Sequence, residues 1–231
     1  MNNRKTSRRK FLTKSGLGAL GLPFLGAGCS RKDERDRNQD TFSFAFVTDI
    51  HLKPEMHAPE GFQMAIDRVN ELQPDFVITG GDLVYDAMRG DFDRCDMLFQ
   101  LYKKMSSGFT MPVFNCLGNH DLFAIYGESQ EPASHPDYKY GMWERYFGDT
   151  YYSFDHKGWH FITLNSLDVT EDQRYRGIFS DEQLDWLLSD LAEVSTETPI
   201  VVTTHIPMIC TRTQLIGSAN TPNVANALPI W

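Results

Sequence analysis

Four times along this 231-residue chain an apolar run of strand length stops at a short polar cluster, and that repeated juncture limits the folds open to it. Phe42 to Thr48, rich in aromatic and β-branched residues, ends at Asp49-Ile50-His51, and Phe76-Val77-Ile78-Thr79 ends at Gly80-Gly81-Asp82. Pro112 to Leu117 ends at Gly118-Asn119-His120-Asp121, and Pro199 to Thr204 ends at His205. Helical patterns lie between them. Phe62, Ile66, Val69 and Leu72 recur at helical spacing after Pro59 and predict one apolar face, with Pro74 stopping the helix; a second helix is expected around Asp93 to Met105. Strands that are apolar throughout, in the order β-α-β-α-β, predict an α/β fold with a largely parallel sheet covered on both faces, whose ligands bind where strands end. Tyr151 to Phe154 and Trp159 to Leu164, joined by Asp155-His156-Lys157-Gly158, read as a hairpin that adds antiparallel strands. Ser180 and Gln183 read as a capping box opening a helix with Leu184, Leu187, Leu188 and Leu191 as its apolar stripe.

The strand ends gather Asp49, His51, Asp82, Asn119, His120 and His205, an oxygen and nitrogen donor set without a thiolate that suits Mn, Fe or Zn. Residues two apart share a face in extended chain, so Asp49 and His51 are expected to chelate one ion. Gly80, Gly81 and Gly118 let the backbone turn sharply and approach a ligand closely. Each cluster alone recurs by chance; their order and their shared position at strand ends carry the signal. His57, His135, His156 and His160 lack that context and read as surface or packing residues.

Asp49-Ile50-His51, Gly80-Gly81-Asp82, Gly118-Asn119-His120-Asp121 and Thr204-His205-Ile206-Pro207 resemble, in order, four motifs of the calcineurin-like metallophosphoesterases, over roughly residues 42 to 207. The resemblance implies a layered αββα metallophosphoesterase-type sandwich with mixed sheets. It implies two divalent metal ions (Mn, Fe or Zn), with Asp49 and His51 on the first, Asp82 bridging both, and Asn119 and His205 on the second. His120 would be the acid catalyst, and Asp121 would either orient that imidazole or cap the turn. The reaction implied is hydrolysis of a small-molecule phosphate ester, monoester or diester, by a bridging hydroxide attacking phosphorus in line. Between Leu122 and Thr150, Phe123, Tyr126, Tyr138, Tyr140, Trp143, Tyr146 and Phe147 would either stack a nucleotide base or pack an insertion against the body. One departure bears on activity. The family's fifth motif, Gly-His-x-His, has no counterpart, since no His follows His205. The expectation is therefore a truncated domain lacking its last strand and helix, with a catalytically inactive metal- or ligand-binding module of the same fold as the alternative.

The domain is expected over residues 41–231. Residues 1–29 have the basic start, short apolar run and small residues of an export signal, and Ser7-Arg8-Arg9-Lys10-Phe11-Leu12 resembles the twin-arginine signal, whose partner is the twin-arginine export machinery. Gly26-Ala27-Gly28-Cys29 resembles a lipobox, which implies acylation of Cys29, a membrane anchor, and a periplasmic or cell-envelope location. Residues 30–40 are polar and charge-dense, as a tether would be. Without the six cations of the first 29 residues the net charge moves from -9 to -15, a field that opposes nucleic acid as a partner. Cys95, Cys116 and Cys210 form no CxxC pair, and Cys116, inside an apolar run, is expected to be buried and inert.

Overall fold

The structure, a computed structural model, describes residues 41–208. The expected signal, Cys29, the tether, Cys210 and everything after residue 208 lie outside the described residues.

Strands β1 (Phe44–Val47), β2 (Phe76–Thr79) and β3 (Val113–Phe114) form a parallel sheet in that order, with Phe44 opposite Phe76 and Val77 opposite Val113. β2 lies in the middle and is buried at every position, which is why it reads as an unbroken apolar run. Helix α1 (Ala58–Leu72) opens with Pro59 in its first turn and closes at Gln73 in a left-handed C-cap, directly before Pro74. Phe62, Ile66 and Val69 are buried, whereas Leu72 is 61% exposed. At about 100° per residue Leu72 lies roughly a quarter-turn off the buried stripe, so the expected four-residue face has three members. Helix α2 (Phe92–Ser106) is capped by the Asp91 carboxylate, which accepts from the Arg94 N–H, and it buries Cys95, Leu98, Phe99 and Tyr102.

A second sheet has the order β4 (Tyr152–His156), β5 (Trp159–Thr163), β8 (Ile200–Thr203). β4 and β5 make the expected hairpin, turning at Lys157 and Gly158, both with positive φ, while β8 joins β5 in parallel. The intervening β6 (Leu167–Val169) and β7 (Tyr175–Gly177) form a small hairpin of their own, and α3 (Gly141–Phe147) lies in the loop region before β4. The single largely parallel sheet with helices on both faces is thus replaced by two sheets packed face to face. Phe76 and Ile78 of β2 meet Phe161 of β5, joined by Phe114 and Phe154. The Phe76 and Phe161 rings cross edge-on at 5.1 Å, and Phe114 stacks on Phe154 at 3.7 Å.

Strand alternation completes the layers. Val77 points away from that seam into the core built with α1 and α2, and Ile162 points into a second core with Leu184 and Leu187 of α4 (Asp181–Glu193). The result is the mixed-sheet αββα arrangement. At the start of α4 the Ser180 hydroxyl accepts from the Gln183 N–H, but the Gln183 amide does not return to close a capping box. It exchanges two hydrogen bonds with the Asn165 backbone and ties α4 to the chain after β5. The aromatic residues of 122–150 mostly pack: Phe123 and Trp143 are buried, and Tyr146 and Phe147 sit on Phe99 of α2. Cys95 and Cys116 are buried free thiols, and burial pushes the Cys95 pKa up to about 12. Among the described residues no helix is long and apolar enough to cross a membrane.

His160 on β5 links three elements. Nearly sealed from solvent, its ring lies 2.7 Å from Asp155 of β4 and 2.8 Å from Asp190 of α4. Burial opposes its charge, but the two carboxylates outweigh burial and raise its pKa above the ordinary 6.5. A raised folded-state pKa means stabilisation fully present below about pH 6.5 and lost as pH rises through the folded value. Urea midpoints at pH 6 and pH 9 are expected to fall with pH in the wild type by clearly more than in His160→Gln; parallel behaviour of the two proteins would contradict this.

Candidate metal centre

The ladder between β1 and β2 does not stop at the strands. Asp49, His51 and Leu52 donate their N–H groups to the carbonyls of Gly81, Asp82 and Leu83 at 3.1, 2.9 and 3.0 Å, so two polar loops run side by side beyond the sheet. Asp49, His51 and Asp82 all adopt left-handed backbone, with φ of 55°, 45° and 54°. For residues with a Cβ this region is costly and is held only where surrounding contacts over-determine it. The extended geometry expected for Asp49 and His51 is therefore absent; backbone curl, not strand alternation, aims their side chains.

Two glycines make the approach of the other loops feasible. A Cβ on Gly118 would stand 2.0 Å from the Asp82 nitrogen and 2.3 Å from its Oδ1, and one on Gly81, where φ is +98°, would stand 2.6 Å from His205 Nδ1. Through these gaps the chain after β3 and the chain after β8 close on Asp82.

Asp82, 4% exposed, is the centre of the group. Its Oδ1 accepts the His120 backbone N–H at 2.8 Å; its Oδ2 lies 3.5 Å from His51 Nε2 and 3.4 Å from His205 Nε2. His205 Nδ1 is 2.8 Å from the Gly80 carbonyl, to which it donates, and this bond turns Nε2 toward Asp82 and toward Asn119 Oδ1 at 3.0 Å. Burial works against both charges of this pair, yet their mutual attraction prevails: Asp82 is held below the usual carboxylate range and His205 is lifted to about 9. Burial also lowers the His120 pKa, against the pull of Asp82.

His120 presses edge-on against His51, ring centres 4.5 Å apart, and its buried Nδ1 has no hydrogen-bond partner among the described residues. The carboxylate near that nitrogen belongs to Asp86, at 3.9 Å, and Asp86 is gripped by Arg89. Asp121 does not orient the ring. Fully buried, it accepts from the N–H groups of Leu83, Val84 and Gly118, so of its two expected roles the structure has the turn-holding one. Burial drives its pKa up to about 7, with Asp82 adding to the rise.

Two donor triads result: Asp49, Asp82 and His205, and His51, Asp82 and His120, the ligand atoms of each lying within 4.8 Å of one another. Asp82 belongs to both. All the candidate ligands read from the sequence meet here, but Asp49 and His51 fall into different triads although their side chains lie 3.9 Å apart. A shared buried carboxylate with nitrogen and oxygen donors and no sulfur around it fits a pair of divalent cations. Asp86 and Arg89 were not singled out in the sequence, since only the fold brings them beside His120.

A sequence model of the calcineurin-like phosphoesterase family matches residues 42–228, and the chain belongs to that family. A protein named as a probable cyclic nucleotide phosphodiesterase from a Synechococcus strain is 26% identical over 196 residues, covering 79% of this chain and 66% of its own length, just under two thirds. Among solved structures, a dimetal phosphatase from Danio rerio superposes with a TM-score of 0.55 at 15% identity, over 82% of this chain and 76% of the other. The purple acid phosphatase PPD1 from yellow lupin gives 0.52 at 15% identity, over 78% of this chain and 34% of its own. These structural likenesses establish the fold.

Because both triads share one carboxylate, Asp82→Ala is expected to weaken Mn2+ binding at both positions together, by roughly 100-fold or more. Metal analysis after dialysis should show the loss of both ions; a variant that keeps its full complement would contradict a shared ligand.

Proposed function

We propose that this member of the calcineurin-like phosphoesterase family is a hydrolase of phosphate esters, with Asp49, His51, Asp82, Asn119 and His205 holding two divalent cations and His120 serving the leaving group. The observation that carries the reading is the position of Asp82, whose carboxylate is common to both donor triads; in the second of them His120 is read as the proton donor and His51 as the ligand. When bound, the cations would supply Lewis acidity toward the phosphoryl oxygens and a water made nucleophilic near neutral pH.

The chain's own groups account for the rest. His205 is turned by the Gly80 carbonyl so that Nε2 faces the site, and the Asn119 side chain is held against it. The backbone bond from His120 to Asp82 fixes the spacing between proton donor and candidate metal ligand. The Nδ1 of His120 is sealed from solvent beside Asp86, so a proton for a departing ester oxygen would leave from Nε2, the other ring nitrogen. Asp121 acts at one remove by fixing the turn on which Asn119 and His120 stand.

The name of the Synechococcus relative supports a phosphodiester, a cyclic nucleotide among them, as the first substrate class to try. The segment from Ser7 to Cys29 supports delivery to the periplasm or cell envelope, with Cys29 as a lipid anchor.

Metal-stripped protein is expected to be inactive toward para-nitrophenyl mono- and diesters and cyclic nucleotides, and to recover with Mn2+. His120→Gln is expected to lower kcat by about 10²- to 10⁴-fold with metal content retained. Metal uptake without turnover of any phosphate ester would favour the non-hydrolytic metal-binding module instead.

A further inference from the structure

Outside the candidate metal centre, a cavity of about 570 Å³ lies between the N-terminal half of α4, the loop before β4 and the chain leading into β6. That volume suits a small organic molecule, and none of the lining residues is among the candidate metal ligands. Its walls combine two kinds of group. Tyr140, Tyr151 and Trp186 present aromatic surface, with the Tyr151 and Trp186 rings 5.0 Å apart and inclined at 55°. At its rim the exposed residues Glu144, Asp149 and Glu182 add carboxylates that have no hydrogen-bond or ion-pair partner among the described residues.

One cation is already seated in this wall and shows what it accepts. The Lys139 ammonium lies 4.3 Å from the centre of the Tyr140 ring and 2.5 Å from an Asp168 oxygen. That pairing neutralises Asp168 and leaves the other three carboxylates paired with solvent alone among the described residues. Their charge is felt locally: burial raises the Tyr151 pKa, and Glu182 and Asp149 raise it further. Two of the lining residues, Gln183 and Asn165, are tied together by two side-chain-to-backbone bonds of 2.8 Å.

We propose that this cavity binds an organic ammonium ion, its charged head among Glu144, Asp149 and Glu182 and its apolar body against Tyr151 and Trp186. A cation with charge spread over alkyl groups fits better than a metal ion. Among the described residues the three-donor groups close enough to hold a metal all include Asp82, and the carboxylates of this cavity form none. Aromatic faces beside unpaired carboxylates are the surroundings in which alkylammonium groups are bound.

The test is calorimetric titration of the folded protein with choline, with benzyltrimethylammonium, and with neopentyl carbinol, the uncharged carbon isostere of choline. Both ammonium ions are expected to bind about tenfold or more tightly than the isostere. Trp186→Ala and the double variant Asp149→Asn, Glu182→Gln are each expected to weaken them by about tenfold with phosphoesterase activity retained; because Trp186 also packs on the core beside Leu184 and Leu187, only the double variant is expected to keep the wild-type melting temperature. Equal affinity for the isostere, wild-type affinity in both variants, no binding of either ammonium ion up to about 10 mM, or displacement of choline by an equal concentration of Ca2+ would each overturn the proposal. A variant that misfolds is replaced by Trp186→Phe, for which intermediate affinity is expected and wild-type affinity counts against the site.

Discussion

The arrangement depends on one carboxylate held out of water between imidazoles. Asp82 follows the central strand of the first sheet, so its backbone is fixed on both sides, and its two oxygens are taken up by the His120 N–H and by the ring nitrogens of His51 and His205. A buried anion needs compensating positive charge, and here that comes from protons on imidazole or from cations in their place. The elevated pKa of His205 and the depressed one of Asp82 are two views of the same demand. Every other feature of the site serves to bring donors to that carboxylate.

Bringing them there strains the chain. Three candidate ligands sit in left-handed backbone, and two glycines lack the Cβ atoms that would push the chain after β3 off Asp82 and His205 off Gly81. The strain is borne by the layered body beneath. The aromatic seam around Phe76 and Phe161 fastens the two sheets, and because β8 belongs to the second sheet, that seam decides whether His205 reaches Asp82 at all. The hydrogen bond from the Ile206 N–H to Ser166, in the chain after β5, fixes the same segment from the other side.

Much of this was legible in residue order. Four apolar runs ending in polar clusters located the site, and α1, α2 and the start of α4 fell within a residue or so of their expected limits, whereas the short α3 was not expected. What escaped depends on contacts between distant segments. β3 pairs over only two residues because, beyond Phe114, the Thr79 hydroxyl and the Asn115 side chain take over the hydrogen bonding. The β6–β7 hairpin, three residues a side, is too short to show alternation. The face-to-face sheets were implied by the family resemblance and not by the strand pattern, which suits helices on both faces equally well. The role of Asp121 was open between two readings until its three backbone donors were seen, and the division of Asp49 and His51 between triads could not follow from a spacing that assumes extended chain.

The central claim is that one carboxylate serves two cations at once. Electron paramagnetic resonance of the Mn2+-loaded protein tests it most directly, because two ions joined through a shared ligand couple magnetically and isolated ions do not. The account predicts a coupled spectrum that vanishes in Asp82→Asn; two uncoupled Mn2+ signals in the wild type, or coupling that survives the substitution, would contradict it.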